Sequence, residues 1–230
     1  NTVFKFYLQA WILLAMASAY FLWFLADAGK LRLDNVRIGR GVWMGALAFL
    51  IIGVMVYPVL GTRHRNAQRF EFSGLTLDGM AYMETVTYVD DEGSLTLKHD
   101  FDAIEWMQEN IEGSPVLVEG LSDQYRWGNR VSIYTGLPAV IGWDWHQRQQ
   151  RVGYAYKFFH STIPQPALTL LNKYDVKYVY IGEMERAKYP VAALAKFENM
   201  ASDGLVQVYP TAESMAANGD TPVVIYEYTR

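Results

Sequence analysis

The hydrophobic pattern divides the chain near residue 61. Residues 6–26, FYLQAWILLAMASAYFLWFLA, carry no charge and a single amide, Gln9. Residues 42–60, VWMGALAFLIIGVMVYPVL, carry no charge at all. As a helix the first run reaches about 31 Å, enough to cross a bilayer's hydrocarbon core. Helices buried in a soluble core usually keep a polar stripe, and these runs have none. Aromatic residues gather toward the ends, at Phe4, Phe6, Tyr7, Trp23, Phe24, Trp43 and Tyr57, where rings favour the membrane–water interface. The pattern predicts two transmembrane helices, about 6–26 and 42–60, as a membrane anchor over 1–61.

The loop 27–41 carries Lys30, Arg32, Arg37 and Arg40 against Asp27 and Asp34. A short basic loop belongs on the cytoplasmic side, which sends the rest of the chain to the extracytoplasmic face of the cytoplasmic membrane. Arg63, Arg65 and Arg69 follow the second run and weaken that asymmetry. The sequence enters its first apolar run almost at once, without the charged flank and cleavage site of a secretory signal. The expectation is the C-terminal piece of a longer polytopic protein, or a truncated relative of one.

Residues 62–230 read differently. Short apolar strands alternate with amphipathic stretches. Residues 84–89 and 94–98 predict a hairpin around Asp90-Asp91-Glu92-Gly93. Asp100 reads as the N-cap of a helix over 101–111. Strands are expected at 116–118, 139–141, 176–181, 205–209 and 223–228, and helices at 165–174, 192–200 and 212–217. Such alternation implies an α/β domain with a mostly parallel sheet.

Charge sharpens the division. The first 61 residues hold five Lys and Arg against two Asp and Glu; the remainder holds fifteen against twenty-two. A net charge of -4 with a pI near 5.6 argues against general nucleic-acid binding, which needs a basic face. The absence of Cys excludes disulfides, thiolate metal sites and Cys nucleophiles. His64, His99, His146 and His160 are scattered without metal-ligand spacing, so neither a metal nor a cofactor is expected.

The densest chemistry runs over residues 125–151, YRWGNRVSIYTGLPAVIGWDWHQRQQR. Trp143, Asp144, Trp145, His146, Gln147 and Arg151 form its ligand-binding candidate. Aromatic faces beside a carboxylate, an amide and a guanidinium suit a sugar or a phosphate, and His146 has the pKa range of a general base. The segment follows a predicted strand, and ligands in open parallel sheets sit beyond strand carboxyl ends. An aromatic-lined packing loop is the alternative. Asp90-Asp91-Glu92 reads as a solvated hairpin tip, with cation binding the lesser reading. Glu183, Glu185, Arg186 and Lys188 read as another strand-end group or as a solvated helix face.

Several stretches together resemble a family: NTVFKFY at 1–7, TLDGMAYM at 76–83, DAIEWMQEN at 102–110, GSPVLVE at 113–119, RVSIYTGLP at 130–138, Gly142-Trp143 with His146-Gln147, and YDVKYVYI at 174–181. They resemble, in order and over nearly the whole chain, the C-terminal end of the YYY membrane proteins. That family is similar in layout to the GT-C glycosyltransferases, which take sugars from polyprenyl-phosphate donors at the outer membrane face. The resemblance implies an extracytoplasmic domain and a glycan or polyprenyl-phosphate sugar as ligand. In GT-C enzymes the catalytic acid lies in an early external loop without counterpart here, so the resemblance implies no complete catalytic site in this chain. The expected function is a portion of a GT-C-like, glycosyltransferase-related membrane protein. The alternative is a non-catalytic accessory subunit of a larger membrane complex, its helices packed on partner helices through Ala15, Ala17, Ser18, Ala19, Gly45, Ala46 and Ala48.

Overall fold

The structure, a computed structural model, describes residues 2–27, 37–69, 76–90, 93–123, 125–142 and 149–229. Most of the basic loop, the hairpin tip Asp91-Glu92 and residues 143–148 lie outside the described residues. The chain divides into two compact units, Asn1–Gln68 and Arg69–Arg230.

The first unit is helical. Helix α1 spans Thr2–Asp27 and α2 spans Arg37–Val56. Two stretches are long and apolar enough to cross a membrane, Lys5–Phe24 within α1 and Gly41–Arg65, which begins in α2 and runs past its end. Among their described residues no side chain is buried. The backbone does not stop at Pro58. It widens into a π-turn at Tyr57–Gly61 and continues as α3, Thr62–Arg69. Proline lacks an N–H and crowds the preceding turn, and a wider turn relieves both. The Tyr57 ring lies within 3.2 Å of where a Gly61 side chain would begin, so a residue without Cβ suits that position. Arg63, Arg65 and Arg69, which follow the second apolar run, therefore lie on a helix.

The second unit begins with a hairpin of β1, Thr87–Asp90, and β2, Gly93–Thr96, paired antiparallel with Thr87 opposite Thr96. Helix α4 follows directly, Leu97–Asn110. A four-stranded sheet has β3 (Val116–Val118), β4 (Val176–Ile181), β5 (Leu205–Tyr209) and β6 (Val224–Tyr228) in the order β3-β4-β6-β5. The expected strand at 139–141 is reduced to one parallel bridge, Leu117 to Ala139. Between the strands lie α5 (Arg130–Thr135), α6 (Gln149–His160), α7 (Gln165–Lys173), α8 (Glu183–Lys188), α9 (Val191–Leu194) and α10 (Ala212–Asn218).

The mostly parallel sheet needs correction. Strands β3 and β4 are parallel, but β6 is antiparallel to both β4 and β5. Periodicity reports which faces are buried and carries no direction. Burial explains the order. Strand β6 buries Ile225, Tyr226 and Tyr228 and takes an inner position, whereas β5 exposes Val206 and Gln207 and takes the edge.

Apolar layers cover the sheet on both faces. Val179 and Ile181 pack with Phe158, Phe159, Leu170 and Leu171 of α6 and α7. Leu117, Tyr180, Tyr209 and Ile225 pack with Ala103, Met107 and Val131 of α4 and α5. Two-sided burial is why VKYVYI reads as a nearly continuous apolar run.

Candidate functional site

The carboxyl edge of the parallel strands, where ligands usually sit, holds a sealed ionic cluster. Arg130 opens α5 and is 1% exposed. Its Nε donates to Asp100 Oδ2 at 2.6 Å, Nη2 to Glu185 Oε2 at 2.7 Å and Nη1 to Glu185 Oε1 at 3.2 Å. The planar guanidinium is therefore held as a fork, the geometry in which Arg binds carboxylates most strongly. Asp100 also accepts from Trp127 Nε1 at 2.7 Å and from the Tyr180 hydroxyl at 2.6 Å. Glu185 takes the backbone N–H groups of Gly120 at 2.8 Å and Gly182 at 2.7 Å. A third carboxylate, Glu119, closes β3 and accepts from the backbone of Val131 and Ser132, both at 3.1 Å.

Close packing dictates the glycines. A side chain on Gly120 would begin 2.6 Å from Glu185 Oε1, and one on Gly182 would begin 2.8 Å from Arg130 Nη2. Gly182 follows β4 directly and Gly120 lies two residues past β3, so the cluster is built at the strand ends.

One arginine faces three carboxylates, and the excess shows in the acidities. Burial pushes Glu119 up to about 7, although Arg130 and the two backbone N–H groups pull the other way. Burial opposes the Arg130 charge, but Asp100 and Glu185 outweigh it and hold its pKa well above the ordinary value. Burial and the Asp100 carboxylate likewise raise Tyr180 well above the phenol range. Every nitrogen of the fork is engaged, and the group is closed to solvent. Such a cluster fixes the geometry of α4, α5, β3, β4 and α8 rather than reacting with a substrate.

The structure redistributes the sequence candidates. Trp143, Asp144, Trp145, His146 and Gln147 lie outside the described residues. Trp127 and Arg130, from the same aromatic stretch, belong to the buried cluster. Arg151 is exposed; it donates to the Val140 carbonyl at 3.4 Å and lies 5.5 Å over the ring of Tyr174, just before β4 begins. Asp100 does not cap its helix, because α4 begins a turn earlier at Leu97. The Thr96 N–H at that end donates to Glu183 Oε2 at 2.6 Å. Of Glu183, Glu185, Arg186 and Lys188, Glu185 is fully buried at the strand end and joins the cluster, whereas Arg186 stays exposed and donates to the Pro222 carbonyl at 2.7 Å. Among the described residues no three His, Asp or Glu gather as a metal site.

Asp100, Glu119 and Glu185 escaped the sequence reading as a set. A signal for two of them was present: Val118-Glu119-Gly120 and Ile181-Gly182-Glu183-Met184-Glu185 each place an acid and a glycine directly after an apolar strand. No family model matches the chain, and no curated protein matches it. Among solved structures, the C-terminal globular domain of an oligosaccharyltransferase from Archaeoglobus fulgidus is similar, with 20% identity over 57% of this chain and 97% of that domain and a TM-score of 0.37.

Proposed function

We propose that the chain is a membrane-anchored portion of a GT-C-like, glycosyltransferase-related protein, with the unit Arg69–Arg230 on the extracytoplasmic face and no complete catalytic site of its own. One observation carries the anchoring: α1 and α2 are long, uncharged through their centres and unburied along their described length. Apolar surface of that extent needs a non-aqueous cover. The ordered motif resemblance supports the glycan context, and Trp143, Asp144, Trp145, His146, Gln147 and Arg151 supply the aromatic and polar groups that hold a glycan or polyprenyl-phosphate sugar.

The chain has no Cys, so one introduced thiol reports sidedness. In intact cells stripped of any outer wall, Ala216→Cys on exposed α10 is expected to react with a membrane-impermeant maleimide. Labelling only after lysis would overturn the topology. Trp145→Ala and His146→Ala are expected to weaken binding of a polyprenyl-phosphate sugar in nanodiscs; unchanged binding in both would remove that segment from the site.

A second reading, an accessory subunit, is favoured by the open surroundings of Gly41, Gly45 and Gly53, none of which has a neighbour within 4 Å of a would-be side chain. Small residues let helices approach closely. Native mass measurement of the solubilised protein separates the readings, because only the accessory role predicts a stoichiometric partner subunit.

A further inference from the structure

The amino edge of the same sheet carries an arrangement that neither the buried cluster nor the aromatic segment explains. A cavity of about 410 Å³ opens between the starts of β3 and β4 and the end of β6, walled by Ser114, Pro115, Val116, Asp175, Lys177 and Tyr228 among others. Its volume falls in the roughly 300–1,000 Å³ range of small-molecule sites. The walls combine the features that recognise a sugar. Pro115 and Val116, both half-buried, and the edge of the largely buried Tyr228 offer apolar surface to a ring's C–H face. Asp175 and Ser114 offer acceptors and a donor to its hydroxyls. Lys177 is held in place by Glu227 Oε1 at 3.1 Å.

Asp175 has an informative backbone. It sits just past α7 with φ +51°, the left-handed conformation that usually selects Gly or Asn after a helix. Here that place holds a carboxylate on the cavity wall.

Immediately before Asp175 stand Tyr174 and Lys173, part of a cationic and aromatic group. Lys173 Nζ lies 4.0 Å from the Tyr154 ring centroid and 5.8 Å from that of Tyr174. The two rings meet edge to face at 6.1 Å. Arg151 covers Tyr174 from the other helix. Arg151, Lys157 and Lys173 are all exposed, and among the described residues none of the three pairs with a carboxylate. Lys173, hydrogen-bonded to the Tyr154 phenol, draws its pKa below the usual range. Three cations without a carboxylate partner among the described residues stand on a region of net negative charge, and they attract an anion.

We propose that the amino edge is a sugar-phosphate subsite: the cavity at Ser114, Pro115, Asp175 and Tyr228 holds the sugar ring, and Lys173 with Arg151 holds the phosphate. The choice of a sugar rests on the function proposed above; the anion site rests on the charges alone. Binding is noncovalent. The phosphate accepts charge-assisted hydrogen bonds from guanidinium and ammonium, and the Asp175 carboxylate accepts from sugar hydroxyls.

The test uses the full chain in nanodiscs, titrated with glucose 1-phosphate, glucose or inorganic phosphate, and in a second arm with a polyprenyl-phosphate sugar in the lipid. The expected result is saturable binding of the sugar phosphate, free or lipid-linked, at least tenfold tighter than glucose or phosphate alone. Asp175→Asn keeps a residue suited to the left-handed turn, so it is expected to melt like the parent while losing about tenfold in sugar-phosphate affinity. It should leave phosphate binding unchanged. Lys173→Glu is expected to abolish both. No saturable binding in either arm overturns the proposal, as does binding that both variants leave intact. If Trp145→Ala and His146→Ala lose glycan binding while Asp175→Asn and Lys173→Glu retain it, this subsite falls and the proposed function stands. If the chain proves extractable without detergent yet binds glucose 1-phosphate through Asp175 and Lys173, the subsite stands and the membrane reading falls.

Discussion

The two units place apolar residues in opposite circumstances. In Arg69–Arg230 the strands are sandwiched, so Leu117, Val179 and Tyr180 are fully buried. In Asn1–Gln68 the side chains are as apolar, yet Leu50 is 63% exposed and Ile52 66%. The globular unit builds its own apolar core and even seals Asp100, Glu119, Arg130 and Glu185 inside. Among its described residues the helical unit buries no side chain. Protein supplies the apolar surroundings in one unit, and lipid or partner helices must supply them in the other.

The buried charges give the largest expected effect. Arg130→Met leaves Asp100 and Glu185 without their cation, and removing one partner of a buried pair costs about 3–5 kcal/mol. Chemical unfolding followed by the fluorescence of Trp106 and Trp127 measures it. A loss under about 1 kcal/mol would show that the cluster does not hold the carboxyl edge together.

Next comes a pair of identical substitutions, one in each unit. Leu117→Ala empties a fully buried site and is expected to cost about 3–5 kcal/mol. Leu50→Ala is expected to leave the unfolding of the globular unit unchanged and to weaken membrane insertion by well under about 1 kcal/mol. Equal effects on unfolding would erase the contrast between the units.

A smaller effect depends on pH. An unfolded Glu119 carboxyl releases its proton near 4.5, and the buried one near 7. Between those values only the folded chain keeps the proton, so this group's contribution is full below about 4.5 and is lost as pH rises through 7. The change is on the order of 1–3 kcal/mol. Glu119→Gln is expected to flatten that part of the stability profile; a profile identical to the parent's would contradict the assignment.

Legibility followed local pattern. The strands at 116–118 and 176–181 were readable because both faces are covered and the residues are β-branched or aromatic, and the edge strand at 205–209 from its valines and tyrosine alone. The two long helices were readable from length and the absence of charge. The direction of β6 was not, because pairing partners are a long-range choice. Helix α5 has only six residues and begins after Asn129 in a left-handed conformation, too short for a periodic signal. The cluster was hidden because Asp100 looks like a cap, Arg130 like a ligand contact and Glu185 like a surface charge. Their ionic partners lie far away along the chain, Arg130 being 30 residues from Asp100 and 55 from Glu185.

The smallest expected effect lies on the exposed amino edge. Lys173→Glu reverses a charge paired with no carboxylate among the described residues and is expected to change stability by no more than about 0.5 kcal/mol, even as it removes anion binding. A large destabilisation, read from the same unfolding curves, would make Lys173 part of the scaffold.

The anchoring is tested most directly by washing membranes that contain the whole chain with alkaline carbonate, which strips peripheral proteins and leaves integral ones. Retention in the membrane pellet, with release only by detergent, is the predicted result. Recovery of the chain in the aqueous supernatant, folded and monodisperse, would contradict the account at its base.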